Sequence, residues 1–532
     1  LRIPKKKELI ELQKKYRTDK KIGEVYGVPS RLVAYWRQKK KIGPYSFPKY
    51  AEEKIVELWE RYGDDTRSGA EIGVTAAGFR QWRRKYNIDK KPVQLRLEQL
   101  ELNLIDMNSR RNSRRETAVQ KILARKASLK KAEIGQVVVA EPDLTMSHDN
   151  SVQVIESFLK LERDRIWNTN KIIIVLDFQS ASGSRGDAES QKVIREFVRK
   201  HRIRNFYDIG EGICHQVVIE NGHILPGQLA FGTDWHTSSY GSLGAVATCI
   251  SAEEMAAIWA IGKIWIKVPE SVKIILKGRL GRSVYARDVI LKLKRDLPLE
   301  IINYRAIEFS GSTVSAMSIS ERFTLTNSAM EMGAKSAMVP FDEITARYLK
   351  KVSKARLAPI RPDADAVYYR EIEVDVSYLT PQVGCPDHNR NVVPVEETAG
   401  KKIDLVVVGS CANGRIDDLE IAARILRGRR IHRDLRMIIV PGSRKIMNEA
   451  LDKGLLKTFI ESGCIVVNPG CDPCLMANPG RLAHGERALT TTNRNFDGAC
   501  GPNGSEIFLA SPATASASAL EGVISDPRKY ER

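Results

Sequence analysis

Four apolar runs rich in β-branched residues, KIIIVLDF, IDLVVVGS, RMIIVPGS and GCIVVNPG, recur in the later part of the chain, and three of them end in small or polar residues. Around them lie segments with apolar positions three and four apart, such as DAESQKVIREFVRKH and DDLEIAARILRGR. Short continuous apolar runs mark strands buried on both faces, and a 3.6-residue period marks the helices laid over them. The alternation predicts α/β layers with parallel sheets, and it puts functional groups on the loops after strand C-terminal ends. Two such loops carry cysteine. VVVGSCANGR sets Cys411 between a strand and a helix, and NPGCDPCLMA sets Cys471 and Cys474 after another strand.

The first hundred residues follow a different pattern. Shifting the chain by 46 residues lays ELQKKYRTDKKIGEVYGVPSRLVAYWRQ on ELWERYGDDTRSGAEIGVTAAGFRQWRR without a gap. Leu12 meets Leu58, Tyr16 meets Tyr62, Gly27-Val28 meets Gly73-Val74, and Trp36-Arg37 meets Trp82-Arg83. Each copy reads as a helix, a Gly-Val turn and a second helix that ends in Trp and basic residues, which predicts a tandem helix-turn-helix at 1–46 and 47–92. Glycine suits the left-handed turn, and Ser30 or Thr75 would cap the following helix. Arg31, Tyr35 and Arg37 in the first copy, with Arg80, Gln81, Arg83 and Arg84 in the second, are the expected contacts to double-stranded DNA. Small helical bundles with solvated basic faces, used for protein contacts, are the alternative. Residues 93–116 read as a leucine-spaced helix and a basic linker, NSRRNSRRE, ahead of the large α/β part at 117–532.

Charge sharpens this division. Residues 1–130 hold 33 Lys+Arg against 16 Asp+Glu, an excess of +17, whereas the other 402 residues carry 52 against 49, only +3 of the total +20. The polyanion-seeking property therefore belongs to the N-terminal quarter. With 42% hydrophobic and 28% charged residues, the 532-residue chain reads as a multidomain globular protein rather than a disordered one. It has no apolar run near the roughly 20 residues that span a bilayer, and LRIPKKKELIELQ lacks an apolar signal core, so the cytoplasm is the expected location.

All eight cysteines lie in the near-neutral part: Cys214, Cys249, Cys385, Cys411, Cys464, Cys471, Cys474 and Cys500. In a chain of this kind they suggest metal ligation or chemistry more than a disulfide framework. CDPC alone suits a redox pair, or half a zinc site completed by Cys464 and Cys500. Three cysteines in a 1+2 arrangement, each on a strand-end loop, suit a 4Fe-4S cluster better, because three thiolates leave one iron open to substrate.

GEGICHQ, GTDWHTSSYGSLGA, KVPE, MEMGAK, GSCANGR, PGCDPC, TTNRNFDG and LASP follow in order, after AVQKILARK and TMSHDNS. Together they resemble the large subunit of the isopropylmalate and homoaconitate dehydratases of the aconitase superfamily, over about 117–532. The resemblance implies an aconitase-like body of α/β/α layers and a hydro-lyase that dehydrates and rehydrates a 2-hydroxy polycarboxylate. It implies a 4Fe-4S cluster on Cys411, Cys471 and Cys474. Asp177, His215, Asp234, His236 and Glu331 are implied as catalytic residues, and Asn327, Asn493 and Arg494 as the surroundings of cluster and substrate. A separate small dehydratase subunit is implied too, since the family's fourth domain, which brings the base that takes the carbon-bound proton, is missing from this chain.

Several positions depart from that pattern. Phe178 stands where the family has His after Asp, Trp235 where it has Ser, and Ala499 where it has Arg; Ala412 and Met476 are smaller changes. Losing an imidazole and a guanidinium, and gaining an indole, predicts an altered substrate. A second functional class is a catalytically weakened regulator that senses the cluster or a metabolite and passes the signal to the DNA-binding part.

Overall fold

The computed structural model describes residues 3–16, 18–43, 51–62, 65–72, 74–86, 88, 115–177, 185–386, 390–471, 480–496, 499 and 501–530. It divides into two compact units, Leu1–Ser113 and Arg114–Arg532.

The first unit holds two helix trios. Lys6–Tyr16, Asp19–Tyr26 and Ser30–Lys39 close over Leu9, Ile22, Val33 and Trp36. Glu52–Tyr62, Asp65–Glu71 and Ala76–Lys85 close over Ile55, Leu58, Trp59 and Phe79. The 46-residue shift holds in three dimensions as well. Gly23 and Gly69 occupy equivalent places, where a Cβ would stand 2.4 Å from the Val28 carbonyl oxygen and 2.8 Å from that of Val74. Arg37 donates to Asp19, with its Nε–H 2.7 Å from Oδ1, and Arg83 donates to Asp65, with its Nε–H 2.8 Å from Oδ1. Each guanidinium also reaches a carbonyl five residues on, Ile42 for Arg37 and Ile88 for Arg83.

These ion pairs correct the sequence reading of Arg37 and Arg83 as DNA contacts. Both side chains are buried inside their trios, and Arg83 also lies 4.0 Å over the Trp59 ring. Thr75 caps its helix by accepting from the Gly78 N–H at 3.2 Å, but Ser30 does not cap: Pro29 precedes the first turn there.

The second unit starts earlier than the linker reading proposed. Residues 93–114 of that linker lie outside the described residues, but Glu116 is already buried, and its N–H donates to Asp363 Oδ2 at 2.9 Å. Thr117 forms a capping box with Gln120 at the head of Ala118–Lys126.

Among the described residues, four sheets build this unit. One has five parallel strands in the order Asn205–Tyr207, Ile172–Val175, Leu144–Ser147, Leu229–Gly232 and Val246–Cys249. A second has four parallel strands, Ser336–Met338, Ala306–Ser310, Ser271–Lys277 and Arg370–Asp375. The third has seven, ordered Val392–Pro394, Gln382–Gly384, Glu506–Leu509, Arg487–Thr490, Leu405–Gly409, Arg436–Val440 and Ile465–Val466; the last five are parallel and the first two antiparallel. Val137–Ala140 and Ile264–Lys267 make a small antiparallel pair. The four apolar runs of the sequence supply Ile172–Val175 and three neighbouring strands of the seven-stranded sheet. Their ends meet: the Cys471 N–H donates to the Asp177 carbonyl oxygen at 2.8 Å, and the Ile213 N–H to that of Gly442 at 2.9 Å. No described helix is long and apolar enough to cross a membrane.

Candidate active site

Cys411 owes its place to a sharp turn. Strand Leu405–Gly409 ends with Gly409 at φ 129° and Ser410 at φ 62°, and a Cβ on Gly409 would stand 2.0 Å from the Val440 carbonyl oxygen. The following turn, Ser410–Asn413, is wholly buried. Arg415 braces it from below, donating to the Cys411 carbonyl at 3.2 Å and to that of Ala412. The Cys471 thiol beside Cys411, against the cost of burial and with the help of His236 and His215, brings the Cys411 thiol down to about 5. At neutral pH it is a thiolate.

A chain of polar groups runs from that sulfur. Asn493, on the turn after strand Arg487–Thr490, donates its Nδ2–H toward Cys411 Sγ (3.7 Å) and Asn327 Oδ1 (2.6 Å), and the same nitrogen lies 3.2 Å from His236 Nε2. Its Oδ1 is fixed by donors from Arg287 at 2.8 Å and Ser328 at 2.9 Å. Asn327 in turn donates to Ser239 Oγ at 2.9 Å. His236 Nε2 is 3.0 Å from Glu331 Oε1, and the His236 backbone N–H donates to Asp234 Oδ1 at 2.7 Å. The same carboxylate oxygen receives His215 Nε2 at 2.6 Å.

Burial works against each charge here, and the neighbours decide the outcome. His236 is pushed up to about 10, because the Cys411 thiolate and the bonds to Asp234 and Glu331 outweigh desolvation. Glu331 is held at about 2 against its own desolvation by the bond to His236 and the charges of Lys294 and Arg494. Asp234 is held well below the usual carboxylate range by His215, His236 and His148. Asp177 goes the other way. Burial and the nearby Asp149 raise it well above that range, although its Oδ2 accepts the Cys214 N–H at 2.8 Å. The site therefore holds an imidazolium, two ionised carboxylates and a carboxyl whose ionisation burial opposes.

Nine residues singled out from the sequence meet here: Asp177, His215, Asp234, His236, Asn327, Glu331, Cys411, Cys471 and Asn493. Arg494, half-buried on the same turn as Asn493, acts on Glu331 through its charge. Cys474, Phe178 and Met476 lie outside the described residues. Trp235 is 52% exposed, although Asp234 and His236 on either side are directed inward. Ala499 is buried in an apolar cluster with Leu482 and Leu405.

The sequence reading missed two partners. His148 follows strand Leu144–Ser147 and lies between two carboxylates, with Nδ1 3.6 Å from Asp177 and Nε2 3.9 Å from Asp234. Its position in a His-Asp pair just past a strand end was the available signal. Arg287, which aligns Asn493, sits on helix Ala286–Asp296, which the sequence reading did not single out.

The aconitase family (aconitate hydratase) matches residues 120–402 and 397–522. The 3-isopropylmalate dehydratase large subunit 1 of Methanopyrus kandleri is 46% identical over 415 residues, covering 78% of this chain and 99% of that protein. A probable methanogen homoaconitase large subunit of Methanosarcina mazei is 44% identical over 393 residues, covering 74% of this chain and 100% of that protein. The solved structure of Thermococcus kodakaraensis aconitase X in its holo form aligns at a TM-score of 0.43 and 13% identity, over 71% of this chain and 89% of that one.

Proposed function

The chain belongs to the aconitase family, and on that premise we propose that it is the large subunit of a 4Fe-4S hydro-lyase acting on a 2-hydroxy polycarboxylate, with a DNA-binding extension at its N-terminus. The relatives' names as large subunits support a separate small subunit as partner. The observation that carries the reading is the meeting of the Cys411 and Cys471 thiols next to the Asn493, His236 and Glu331 chain.

The donor set fits a cluster. Cys411 is a buried thiolate with an amide N–H directed at its sulfur, and two buried polar atoms close by, Asp177 Oδ1 and His215 Nδ1, have no hydrogen-bond partner among the described residues. Cys411, Cys471 and Cys474 would hold it, and a cluster with three thiolate ligands supplies one iron free to act as Lewis acid on a departing hydroxyl. His236, kept cationic by Asp234 and Glu331, carries the proton that a leaving hydroxyl needs. Asp234 fixes the tautomer of His215 by accepting from its Nε2, and Arg494 offers a planar fork to a substrate carboxylate. The base that takes the carbon-bound proton is expected from the small subunit.

Exposed Arg31, Tyr35, Arg80, Gln81 and Arg84 on the last helix of each trio support the DNA-binding part. Arg80 also donates to Asp65 Oδ2 at 2.8 Å, so it serves both uses. The regulator reading draws on Ala499, which is buried in an apolar cluster where the family resemblance expects an arginine.

Protein purified without oxygen should contain iron and acid-labile sulfide, and Cys411→Ser should remove most of both. Combined with a small dehydratase subunit, it should hydrate an unsaturated di- or tricarboxylate, followed as loss of ultraviolet absorbance. Stoichiometric zinc without sulfide would refute the cluster. A sound cluster with no hydration of isopropylmaleate or homoaconitate, but with cluster-dependent DNA binding, would favour the regulator.

A further inference from the structure

Helix Ala286–Asp296 opens with a residue that its own stability does not explain. Arg287 is fully buried in the first turn, where the helix dipole is unfavourable to a cation and desolvation adds to the cost. Its guanidinium donates to Asn493 Oδ1 at 2.8 Å, to Ser328 Oγ at 3.1 Å and to the Thr492 carbonyl, all of them neutral oxygens.

These bonds head a chain that runs one way. Asn493 Nδ2 donates to Asn327 Oδ1 at 2.6 Å, Asn327 Nδ2 to Ser239 Oγ at 2.9 Å, and the Ser239 hydroxyl to the His236 carbonyl at 2.6 Å. All of these side chains are buried, so each depends on the others for its partners. An amide can turn over and exchange its oxygen for its nitrogen, but a guanidinium has donors only. The Asn493 oxygen, not its nitrogen, must therefore face Arg287. Ser328 donates to that oxygen too, at 2.9 Å, but a hydroxyl can also accept, and this one takes its sense from the N–H it receives from Arg287.

We propose that Arg287 is a positioning residue that locks the sense of the Asn493 amide, and through it the hydrogen bonding of the Cys411 sulfur and of His236. The inference rests on the reading of Cys411 and His236 as site residues. With the oxygen held, the two N–H bonds of Asn493 serve Asn327 and Cys411 Sγ at 3.7 Å, and His236 Nε2, 3.2 Å away, keeps its proton for Glu331 at 3.0 Å. Turned over, the amide would set its oxygen against two acceptors, the Cys411 sulfur and Asn327 Oδ1, and would compete with Glu331 for the His236 proton. One donor that cannot accept thus decides the direction of the whole chain.

The test compares Arg287→Met, which removes the donor, with Arg287→Lys, which keeps a donor and the charge, in the full chain purified without oxygen. The first readout is the reduction midpoint of the cluster, which hydrogen bonds to its sulfur ligands raise. Arg287→Met should make one-electron reduction about tenfold less favourable, a midpoint about 59 mV more negative, and Arg287→Lys should stay within about threefold of native. In an Asn493→Ala background, Arg287→Met should move the midpoint no further. With the small subunit, the kcat of Arg287→Met should fall about tenfold or more with KM within about threefold, and Arg287→Lys should recover most of it. If Arg287→Met does not fold, Arg287→Gln, whose amide can accept as well as donate, takes its place with the same expectations.

A second readout needs no cluster. Asn493→Ala takes a partner from Arg287, so in denaturant unfolding of the metal-free chain it should lower the folding constant at least about tenfold in the native background and less than about threefold beside Arg287→Met. Additive effects in that cycle would overturn the lock. So would an unchanged midpoint in a folded, iron-replete Arg287→Met, or a shift that persists beside Asn493→Ala, which would be the direct field of the charge. If the native protein holds no iron and sulfide, the reading of Cys411 falls, and the stability cycle alone decides whether Arg287 and Asn493 act as a pair.

Discussion

Arg37 and Arg83 look interchangeable in sequence with Arg31 and Arg84, yet the first two hold Asp19 and Asp65 while the second two face solvent. Removing one partner of a buried pair strands the other charge, at a cost of about 3 kcal/mol or more. Arg37→Ala and Arg83→Ala should therefore loosen Asp19–Tyr26 and Asp65–Glu71 respectively, seen as faster amide exchange in the full chain with the body unaffected. Arg31→Ala and Arg84→Ala should stay within about 0.5 kcal/mol of native stability. The distinction was legible in part: both Asp and Arg recur at the 46-residue shift, whereas Arg31 meets Ala77 and Arg84 meets Gln38. A basic side chain kept in both copies together with an acid is a fold constraint, and the reading of the last helix as a contact surface passed over it. His148 lies within the quoted TMSHDNS, but its role was not assigned, since a His-Asp pair after a strand gains its meaning only when the fold brings Asp177 and Asp234 to it.

Apolar runs locate strands well when both faces are covered, and poorly at an edge. Leu405–Gly409 and Arg436–Val440 are as buried as their sequences imply, but GCIVVNPG contributes only the short strand Ile465–Val466, and Ile465 is half exposed at the margin of the sheet. Strand-end loops carried the candidate chemistry as the alternation predicted, yet the order of the strands was not readable, because hydrogen-bond partners across a sheet leave no mark on local periodicity. What fixes Cys411 is the turn after its strand. At φ 129°, and with the Val440 oxygen where a Cβ would go, Gly409 accepts no side chain without backbone movement. Strain of that sort costs of order 1–3 kcal/mol before the clash is counted. Gly409→Ala should thus lower the melting temperature and displace Cys411 from Cys471 and Asn493. Iron and sulfide content should drop in step; a variant with native melting and a full complement of iron would show that the turn does not set the cysteine.

Charge is as unevenly divided as the fold. The +17 excess of residues 1–130 falls on the first compact unit and the start of the second, and the boundary near residue 114 lies within the stretch read as linker. Such partition of charge makes a prediction for the whole chain that is separable from any hydration activity. If the exposed basic residues of the first unit lie on phosphates, binding releases condensed counterions, and affinity for duplex DNA must fall on a straight line against salt on logarithmic axes. Six phosphate contacts would weaken binding by about a thousandfold between roughly 50 and 200 mM salt. Each of Arg31→Ala and Arg84→Ala should reduce that slope by about 1 if its guanidinium contacts a phosphate. Cys411→Ser should leave the slope alone, because Arg114–Arg532 holds 58 Lys+Arg against 50 Asp+Glu, only +8 over a much longer chain, and its cysteine turn is buried. Fluorescence anisotropy of a labelled duplex across a salt series decides it. A flat dependence in protein with both helix trios folded would assign the basic faces to a protein partner, and the extension would then be an assembly module of the dehydratase.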